Sequence, residues 1–111
     1  MKKNHLEEFV RGWFVGGFDP ALIKTTDVEV AVQRIEKGTI EAEHCHKIAT
    51  EITVIVKGKA RMGALFLDEG DIVTIEPGEY TDFEALEDTM TVVVKYPGAL
   101  NDKYLKEKEI C

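Results

Sequence analysis

Residues 38–58, GTIEAEHCHKIATEITVIVKG, decide how this chain folds. Residues 40–46 alternate between apolar or small and polar side chains, and residues 51–56 are rich in β-branched ones, so both runs are typical of strands. Gly38 and Gly58 bound the stretch and mark turns. We therefore predict two short strands joined by a short loop.

Alternation within the first strand separates its side chains into two sets, because successive residues of a strand point to opposite faces. One set is apolar and ends in two imidazoles, so we expect it to face the interior. The other is mostly charged, so we expect it to face water. The predicted interior set is Ile40, Ala42, His44 and His46, and the predicted solvent set is Glu41, Glu43 and Cys45.

Short strand-like runs continue along the chain, with turn signals about every ten residues. Seven or eight strands at this spacing predict an all-β sandwich or barrel. Residues 4–11 are expected to form one or two helical turns, and residues 101–109 a short helix or a frayed tail. The further predicted strands are Val28–Ile35, Ala60–Leu67, Ile72–Ile75, Tyr80–Ala85 and Thr91–Tyr96.

The two histidines are the candidate chemical centre. Two interior imidazoles two residues apart can share one metal ion, and the carboxylate of Glu51, at the start of the next strand, can complete a His-His-Glu set. Thr53 shares the face of Glu51 and so belongs to the same pocket. The residues alone leave open a second interpretation, in which both histidines are hydrogen-bonded core residues.

The wider spacing resembles the first motif of the cupin superfamily, G-x5-H-x-H-x(3,4)-E-x6-G. Every fixed position is matched, by Gly38, His44, His46, Glu51 and Gly58. The resemblance extends over roughly residues 22–98. It implies a jelly-roll β-sandwich with a site in the mouth of the barrel, an arm at residues 1–21 and a tail at residues 99–111, all in one domain.

The second cupin motif, G-x5-P-x-G-x2-H-x3-N, is matched only in part. Gly70 and Gly78 fit, whereas Glu76 replaces the proline and Ala85 replaces the asparagine. Thr81 stands where the fourth ligand, a histidine, is expected. Alternation places Thr81 and Phe83 on one face, so the fourth corner holds a hydroxyl, which is a poor ligand for a divalent metal.

The resemblance implies a divalent transition metal, with iron, manganese, nickel, zinc and copper not distinguished, and an unidentified small-molecule ligand. Residue by residue, it carries over His44, His46 and Glu51 as metal ligands, with Thr81, Phe83, Thr53 and Ala42 lining the pocket. Oxygenase- or isomerase-like action on a small molecule is one interpretation. A metal-free binding module for a sugar or small molecule is another, and a metal-free sugar isomerase or epimerase a third. The catalytic residues stay unassigned, and so does the choice between enzyme and binding module.

Charge and cysteine usage limit the partners. The chain has 14 Lys and Arg against 21 Asp and Glu, a net charge of −7, which argues against nucleic-acid binding and against docking on anionic membranes. No apolar run approaches the ~20 residues of a membrane span.

Cys45 lies in a strand and Cys111 is the last residue, so we expect two free thiols and a cytoplasmic location.

Aliphatic residues on the outer side of the second strand predict a homodimer. If Glu51 points inward, then Ile52, Val54 and Val56 point outward and need a cover. An aromatic and glycine-rich arm at residues 12–20 can supply it, from the same chain or from a second copy.

Overall fold

The computed structural model describes residues 1–111, and nearly all of its regular structure is β. Two short 3₁₀ turns, Leu6–Glu8 and Val10–Gly12, precede the strands, and no helix is long and apolar enough to cross a membrane. The strands are β1 (Trp13–Gly16), β2 (Ile23–Lys24), β3 (Glu29–Ile35), β4 (Ile40–Cys45), β5 (Thr50–Lys57), β6 (Ala60–Met62), β7 (Leu65–Leu67), β8 (Ile72–Ile75), β9 (Thr81–Ala85), β10 (Thr89–Tyr96) and β11 (Tyr104–Leu105).

The strands form two sheets, which confirms the all-β prediction. The first sheet has six strands in the order β2-β1-β3-β10-β5-β8, and the second has five in the order β11-β4-β9-β6-β7. Every pair is antiparallel except β1 with β2. Except for β1–β2 and β6–β7, neighbouring strands are not consecutive in sequence, as in sandwiches whose strands cross between two layers.

Aliphatic side chains fill one part of the space between the sheets. Ile55 on β5 is fully buried, and Phe83 on β9 closes the core on the opposite sheet. Phe83 and Met62 also line a cavity, so the core forms one wall of that cavity. The buried cluster consists of Ile55, Ala60, Met62, Leu67, Ile75, Phe83 and Ala85.

Two glycines make the turns on either side of β6. Gly58 has φ of +92°, and a side-chain carbon there would collide with the carbonyl of Asp88, so only glycine fits this turn. Gly63 has φ of +57° and splits the predicted strand Ala60–Leu67 into the β6–β7 hairpin. The arm contributes β1 to the first sheet, and the tail contributes β11 to the second. The prediction of a helix or a frayed tail at residues 101–109 is therefore wrong.

A β-bulge in β4 changes which of its side chains face the interior. Against β9, Glu41 is opposite Phe83 and His44 is opposite Thr81, so Ala42 and Glu43 together oppose the single residue between them. Directly opposed residues share a face of the sheet. Glu41 therefore lies on the same face as His44.

The bulge overturns part of the alternation prediction. Ala42 is exposed and lies outside the cavity, and Ile40, although it borders the cavity, is 67% exposed. Glu41 lies on the cavity face, with 47% of its side chain exposed. The prediction that Ile40 and Ala42 are interior residues is wrong, and so is the prediction that Glu41 lies on the face opposite His44. The extra residue reverses which side chains face the cavity in the part of β4 before His44. At His44 and His46 the predicted facing is unchanged.

Candidate functional site

A cavity of about 700 Å³ opens between the two sheets. Its volume is in the range of small-molecule sites. Trp13 and Phe18 of the arm pack edge to face at its rim, with ring centroids 6.5 Å apart. Residues 99–103 of the tail line another part of the rim. The arm and the tail thus shape the entrance, while the sheets supply the walls.

His44 and His46 lie in this cavity, where the sequence places them. They are 5% and 3% exposed, and their rings are nearly perpendicular with centroids 5.3 Å apart. His44 is the fifth residue of β4, and His46 directly follows the strand. The end of β4 therefore places both imidazoles on one wall of the cavity.

The Nδ1 atom of His44 is hydrogen-bonded within its own strand. Its Nδ1 lies 2.8 Å from the carbonyl oxygen of Ala42. Because a carbonyl oxygen only accepts hydrogen bonds, Nδ1 carries the proton. Nε2 of the same ring lies 3.6 Å from Oε1 of Glu41.

His46 has no hydrogen-bond partner at Nε2, although this atom is buried. Burial, together with the positive charge of Lys95, lowers the pKa of His46 to about 4. The ring is therefore neutral at pH 7. A buried polar atom without a protein partner is uncommon in folded proteins, so this nitrogen is open to a ligand or a water molecule.

Glu51 faces the same cavity from the opposite sheet. It pairs with Lys95 of β10 in the strand register, and its Oε2 accepts a long hydrogen bond of 3.4 Å from the hydroxyl of Thr53. Burial raises the pKa of Glu51, and the nearby Glu41 raises it further. The ionised carboxylate is thus under-solvated, as expected of a group that meets a cation or a substrate.

The predicted pocket residues are divided by the bulge. Thr81, Phe83 and Thr53 line the cavity, and Thr81 lies directly opposite His44. The Thr81 hydroxyl donates a hydrogen bond of 2.8 Å to the carbonyl of Asp82. Ala42 is exposed and does not line the cavity, because the bulge turns it outward.

The three predicted ligands share the cavity without forming a metal site. No group of three or more His, Cys, Asp or Glu side chains is arranged to hold a metal ion. The buried Nε2 of His46, which has no partner in the protein, is the atom that suits such an ion. Glu51 lines the same cavity, but its carboxylate is not grouped with the two imidazoles.

Several site residues were missed by the sequence analysis. Lys95 lines the cavity and its Nζ lies 5.0 Å from the centre of the Trp13 ring. Its place follows from the pairing of β10 with β5, which no local pattern reveals. Glu41 was missed because the bulge leaves no clear mark on the sequence.

Asp102 is a further residue that sequence reasoning missed. It is buried, and its carboxylate accepts backbone N–H bonds from Lys47, Ile48 and Ala49 at 2.9, 3.0 and 2.9 Å. Burial alone would raise the pKa of Asp102, but these hydrogen bonds together hold it below its ordinary value. The tail therefore ties down the loop that joins His46 to Glu51.

Cys45 and Cys111 form a disulfide, so the prediction of two free thiols is wrong. Their Cα atoms are 6.5 Å apart although 66 positions separate them. The reason is β11, which pairs with β4 and places Tyr104 opposite Cys45, so that the tail covers this face of the strand. The predicted solvent-facing Cys45 is buried.

Comparison with known proteins identifies the fold. No protein-family model and no curated protein matches the sequence. Among solved structures, an uncharacterised double-stranded β-helix protein from Klebsiella pneumoniae aligns with a TM-score of 0.69 at 23% identity, over 96% of this chain and 93% of that one. KdgF from Halomonas sp. aligns with a TM-score of 0.61 at 20% identity, over 68% of this chain and 74% of its own.

Oxalate decarboxylase from Bacillus subtilis, which contains Mn(II) centres, aligns with a TM-score of 0.64 at 22% identity. The match covers 73% of this chain but only 24% of the decarboxylase, so the chain spans about a quarter of that protein. At these identities the likeness concerns the fold. Together with the two antiparallel sheets and the cavity between them, these matches show that the chain has the double-stranded β-helix fold, as its resemblance to the cupins implies.

Proposed function

We propose that the cavity binds a divalent transition metal through His44, His46 and Glu51 and acts there on a small molecule. The observation that carries this proposal is the buried Nε2 of His46, which has no partner within the protein. A metal ion is the partner that suits a neutral imidazole nitrogen.

The state of both imidazoles supports the proposal. The Nδ1 of His44 is bonded to the carbonyl of Ala42, and a backbone carbonyl on the second ring nitrogen is common for metal-binding histidines. His46 is neutral above its lowered pKa of about 4. Glu51 has to be drawn toward the imidazoles on binding, and a cation would relieve the cost of its buried charge.

Oxygenase- or isomerase-like chemistry is the activity we propose. The metal, when bound, would act as a Lewis acid on an oxygen atom of the small molecule. Lys95 offers a positive charge to an anionic or carbonyl group from the opposite sheet. Trp13 and Phe18 at the rim reduce the access of water. The oxalate decarboxylase of similar fold contains Mn(II) centres. This supports a metal-dependent function for the cavity but does not indicate the substrate.

A metal-free site is the second candidate, and Lys95 favours it. A lysine paired in register with Glu51 already supplies a positive charge where a cation would be needed. In that case His44, His46 and Glu51 would bind a sugar or other small molecule by hydrogen bonds, or serve as acid and base in an isomerase or epimerase. Metal content separates the two candidates.

Metal analysis and titration test the proposal. We expect one Mn²⁺, Co²⁺ or Zn²⁺ per chain after reconstitution, and we expect His44→Ala or His46→Ala to abolish stoichiometric binding. His5→Ala is the control, because His5 is the remaining histidine and lies exposed in the first 3₁₀ turn's cap. Absence of stoichiometric metal from the reconstituted wild type would leave the metal-free candidate in its place.

Glu51→Gln gives a second readout. In metal-free protein this change removes a carboxylate whose raised pKa shows that its charge is unfavourable, so we expect unfolding to become harder by about 0.5–2 kcal/mol. The same change should remove most of the stabilisation that added metal gives the wild type. A variant that is destabilised without metal, yet stabilised by metal like the wild type, would show that Glu51 is not a ligand.

We propose a cytoplasmic location, and because thiols are kept reduced there, we expect the Cys45–Cys111 disulfide of the structure to be reduced in the cell. Alkylating the thiols before lysis and counting them by mass spectrometry tests this. A disulfide-linked population in untreated cells would instead place the protein in an oxidising compartment.

A further inference from the structure

We infer that Cys45 and Cys111 form a redox-operated latch. In its closed state the disulfide fixes the tail along β4 and so limits access to the cavity that His44 and His46 line. The inference concerns regulation of the cavity and stands whether or not a metal binds there. Three observations support it: the position of the two cysteines, the part of the tail that shapes the entrance, and the weakness of the tail's other contacts.

Cys45 lies between the two cavity histidines, and its side chain points to the other face of β4, because neighbours in a strand alternate. It is 1% exposed and does not line the cavity, since Tyr104 of β11 pairs with it and the tail covers it. Cys111, its disulfide partner, is exposed. The disulfide therefore joins the histidine-bearing end of β4 to the last residue of the chain, and Cys111 is the partner that an external thiol can approach.

The tail forms part of the cavity entrance immediately before the segment that the disulfide holds. Every residue from 99 to 103 lines the cavity. Lys103 is bonded to Glu41 on the cavity wall, with its Nζ 2.6 Å from Oε1. Asp102 accepts the backbone N–H groups of the loop that follows His46. A change in how the end of the tail is held is therefore transmitted to the entrance within a few residues.

Apart from the disulfide, the end of the tail is held by exposed contacts. Strand β11 has two residues and lies at the edge of its sheet. Lys106 meets Glu43 at 3.3 Å, with side-chain exposures of 55% and 46%. The backbone N–H of Cys111 donates to the hydroxyl of Tyr80 at 2.8 Å, also on the surface. Exposed ion pairs contribute little to stability, and segments with few buried contacts open locally, so the disulfide decides whether this segment stays on β4.

The latch closes and opens by exchange with a small thiol, RSH, and its disulfide, RSSR. On closing, two electrons pass from the thiols of Cys45 and Cys111 to RSSR, the bond between the two cysteines forms, the bond in RSSR breaks, and two RSH leave with the two protons. On opening, a thiolate of RSH attacks Sγ of Cys111 and displaces Cys45, and a second one attacks the mixed disulfide, which frees Cys111 and forms RSSR. In the reducing location that we propose, the open state is the resting state, and oxidation closes it.

Modification of histidines by diethyl pyrocarbonate tests whether the latch controls access to the cavity. The purified full chain is equilibrated with oxidised or with reduced glutathione, in the presence of a chelator, and peptide mass spectrometry gives a rate for each histidine. We expect His44 and His46 to react about threefold to tenfold faster in the reduced protein, because the entrance opens more often. His5 is the internal control, since it is exposed in both states and lies outside the cavity.

Cys111→Ser should give the fast rates of the reduced wild type with either form of glutathione, which assigns the effect to the disulfide. Equal rates at His44 and His46 in the oxidised and reduced wild type would overturn the inference and leave the proposed metal site standing. Failure of oxidised glutathione to join Cys45 to Cys111, measured by counting free thiols, would overturn it as well. Should Cys111→Ser fold poorly by circular dichroism, the comparison of the two states of the wild type decides alone.

Discussion

Asp102 is the side chain on which the position of the histidines most directly depends. Its carboxylate collects three successive backbone N–H groups immediately after His46. These donors would otherwise be left without partners near the cavity, and a buried unpaired donor costs about 1–3 kcal/mol. A single carboxylate from the tail thus stabilises the loop between two proposed ligands.

Asp102→Ala should lower the free energy of unfolding by about 3 kcal/mol, because it leaves those N–H groups unpaired. Asp102→Asn, which keeps one acceptor oxygen, should cost less. Urea denaturation measures both. Asp88→Ala is the control, since Asp88 is exposed and accepts one backbone bond, from Lys37 at 2.9 Å. Equal losses for the two alanine variants would mean that Asp102 does not anchor the loop.

The neutral His46 should make the fold sensitive to acid. In the unfolded chain its imidazole takes up a proton near pH 6.5, but in the folded protein only near pH 4. Between these values the unfolded state binds more protons, so stability is present above pH 6.5 and falls as the pH drops toward 4. The size of this contribution is about 3 kcal/mol.

His46→Gln should remove that contribution. Urea unfolding in the presence of a chelator, at a series of pH values from 7 to 4, should give curves for wild type and variant that converge or cross as the pH falls. The raised pKa of Glu51 acts in the opposite direction, but it is common to both proteins and cancels in the difference. Parallel curves would show that His46 takes up its proton normally in the fold.

At the scale of elements, the tail controls β4. Its strand β11 pairs with β4, Lys103 and Lys106 meet Glu41 and Glu43, and Cys111 is bonded to Cys45. All of these contacts fall on the strand that carries His44. The tail therefore acts as a clamp along the edge of the second sheet, where β4 would otherwise offer unpaired backbone groups.

Cys111→Ser should destabilise the oxidised protein by about 2–4 kcal/mol, because the disulfide closes a long loop in the unfolded chain. Thermal unfolding with and without dithiothreitol measures the effect, and the reductant is its own control. With the reductant present, wild type and variant should unfold alike. A difference that persists in dithiothreitol would assign the loss to packing of the terminal residue instead.

Sequence patterns predicted the long strands well and the short ones poorly. β3, β5 and β10 are β-branched runs whose limits agree with prediction to within two residues. β2 and β11 have two residues each and are defined by their pairing with neighbouring strands, so no local periodicity predicts them. At the site, alternation placed His44 and Thr81 correctly, whereas Glu41 and Lys95 depend on a bulge and on strand order.

At the scale of the whole molecule, the outer face of the first sheet is aliphatic. The register places Val94 between Val30 and Ile52, and Val92 between Val32 and Val54. These side chains are only partly buried, and Ile72 beside Val54 is 63% exposed. The arm approaches this face at Val32 of β3, beside Leu6 and Phe9, whereas its Trp13 and Phe18 line the cavity.

We propose that a second copy of the chain covers this face. The face carries no charge in these two rows, while the chain as a whole has a net charge of −7, so two copies repel least where their uncharged faces meet. A flat face of this kind can pair with itself about a two-fold axis.

Val54→Glu should convert the dimer to a monomer, since it would bury a charge at the centre of the contact. Light scattering coupled to gel filtration measures the mass. Phe66→Glu is the control, because Phe66 is 73% exposed on β7 of the other sheet. A monomeric wild type, or a Val54→Glu protein that keeps the dimer mass, would rule out this interface.

The bulge in β4 has a consequence for how such sites are recognised. It lets one strand present residues 41, 44 and 46 to the same cavity, at intervals of three and then two. An interval of three is the spacing of neighbours on a helix, so a search for residues on one strand face at even spacing passes over Glu41. In a regular strand the odd-numbered Glu41 and the even-numbered histidines would lie on opposite faces. The single inserted residue of the bulge places them on the same face.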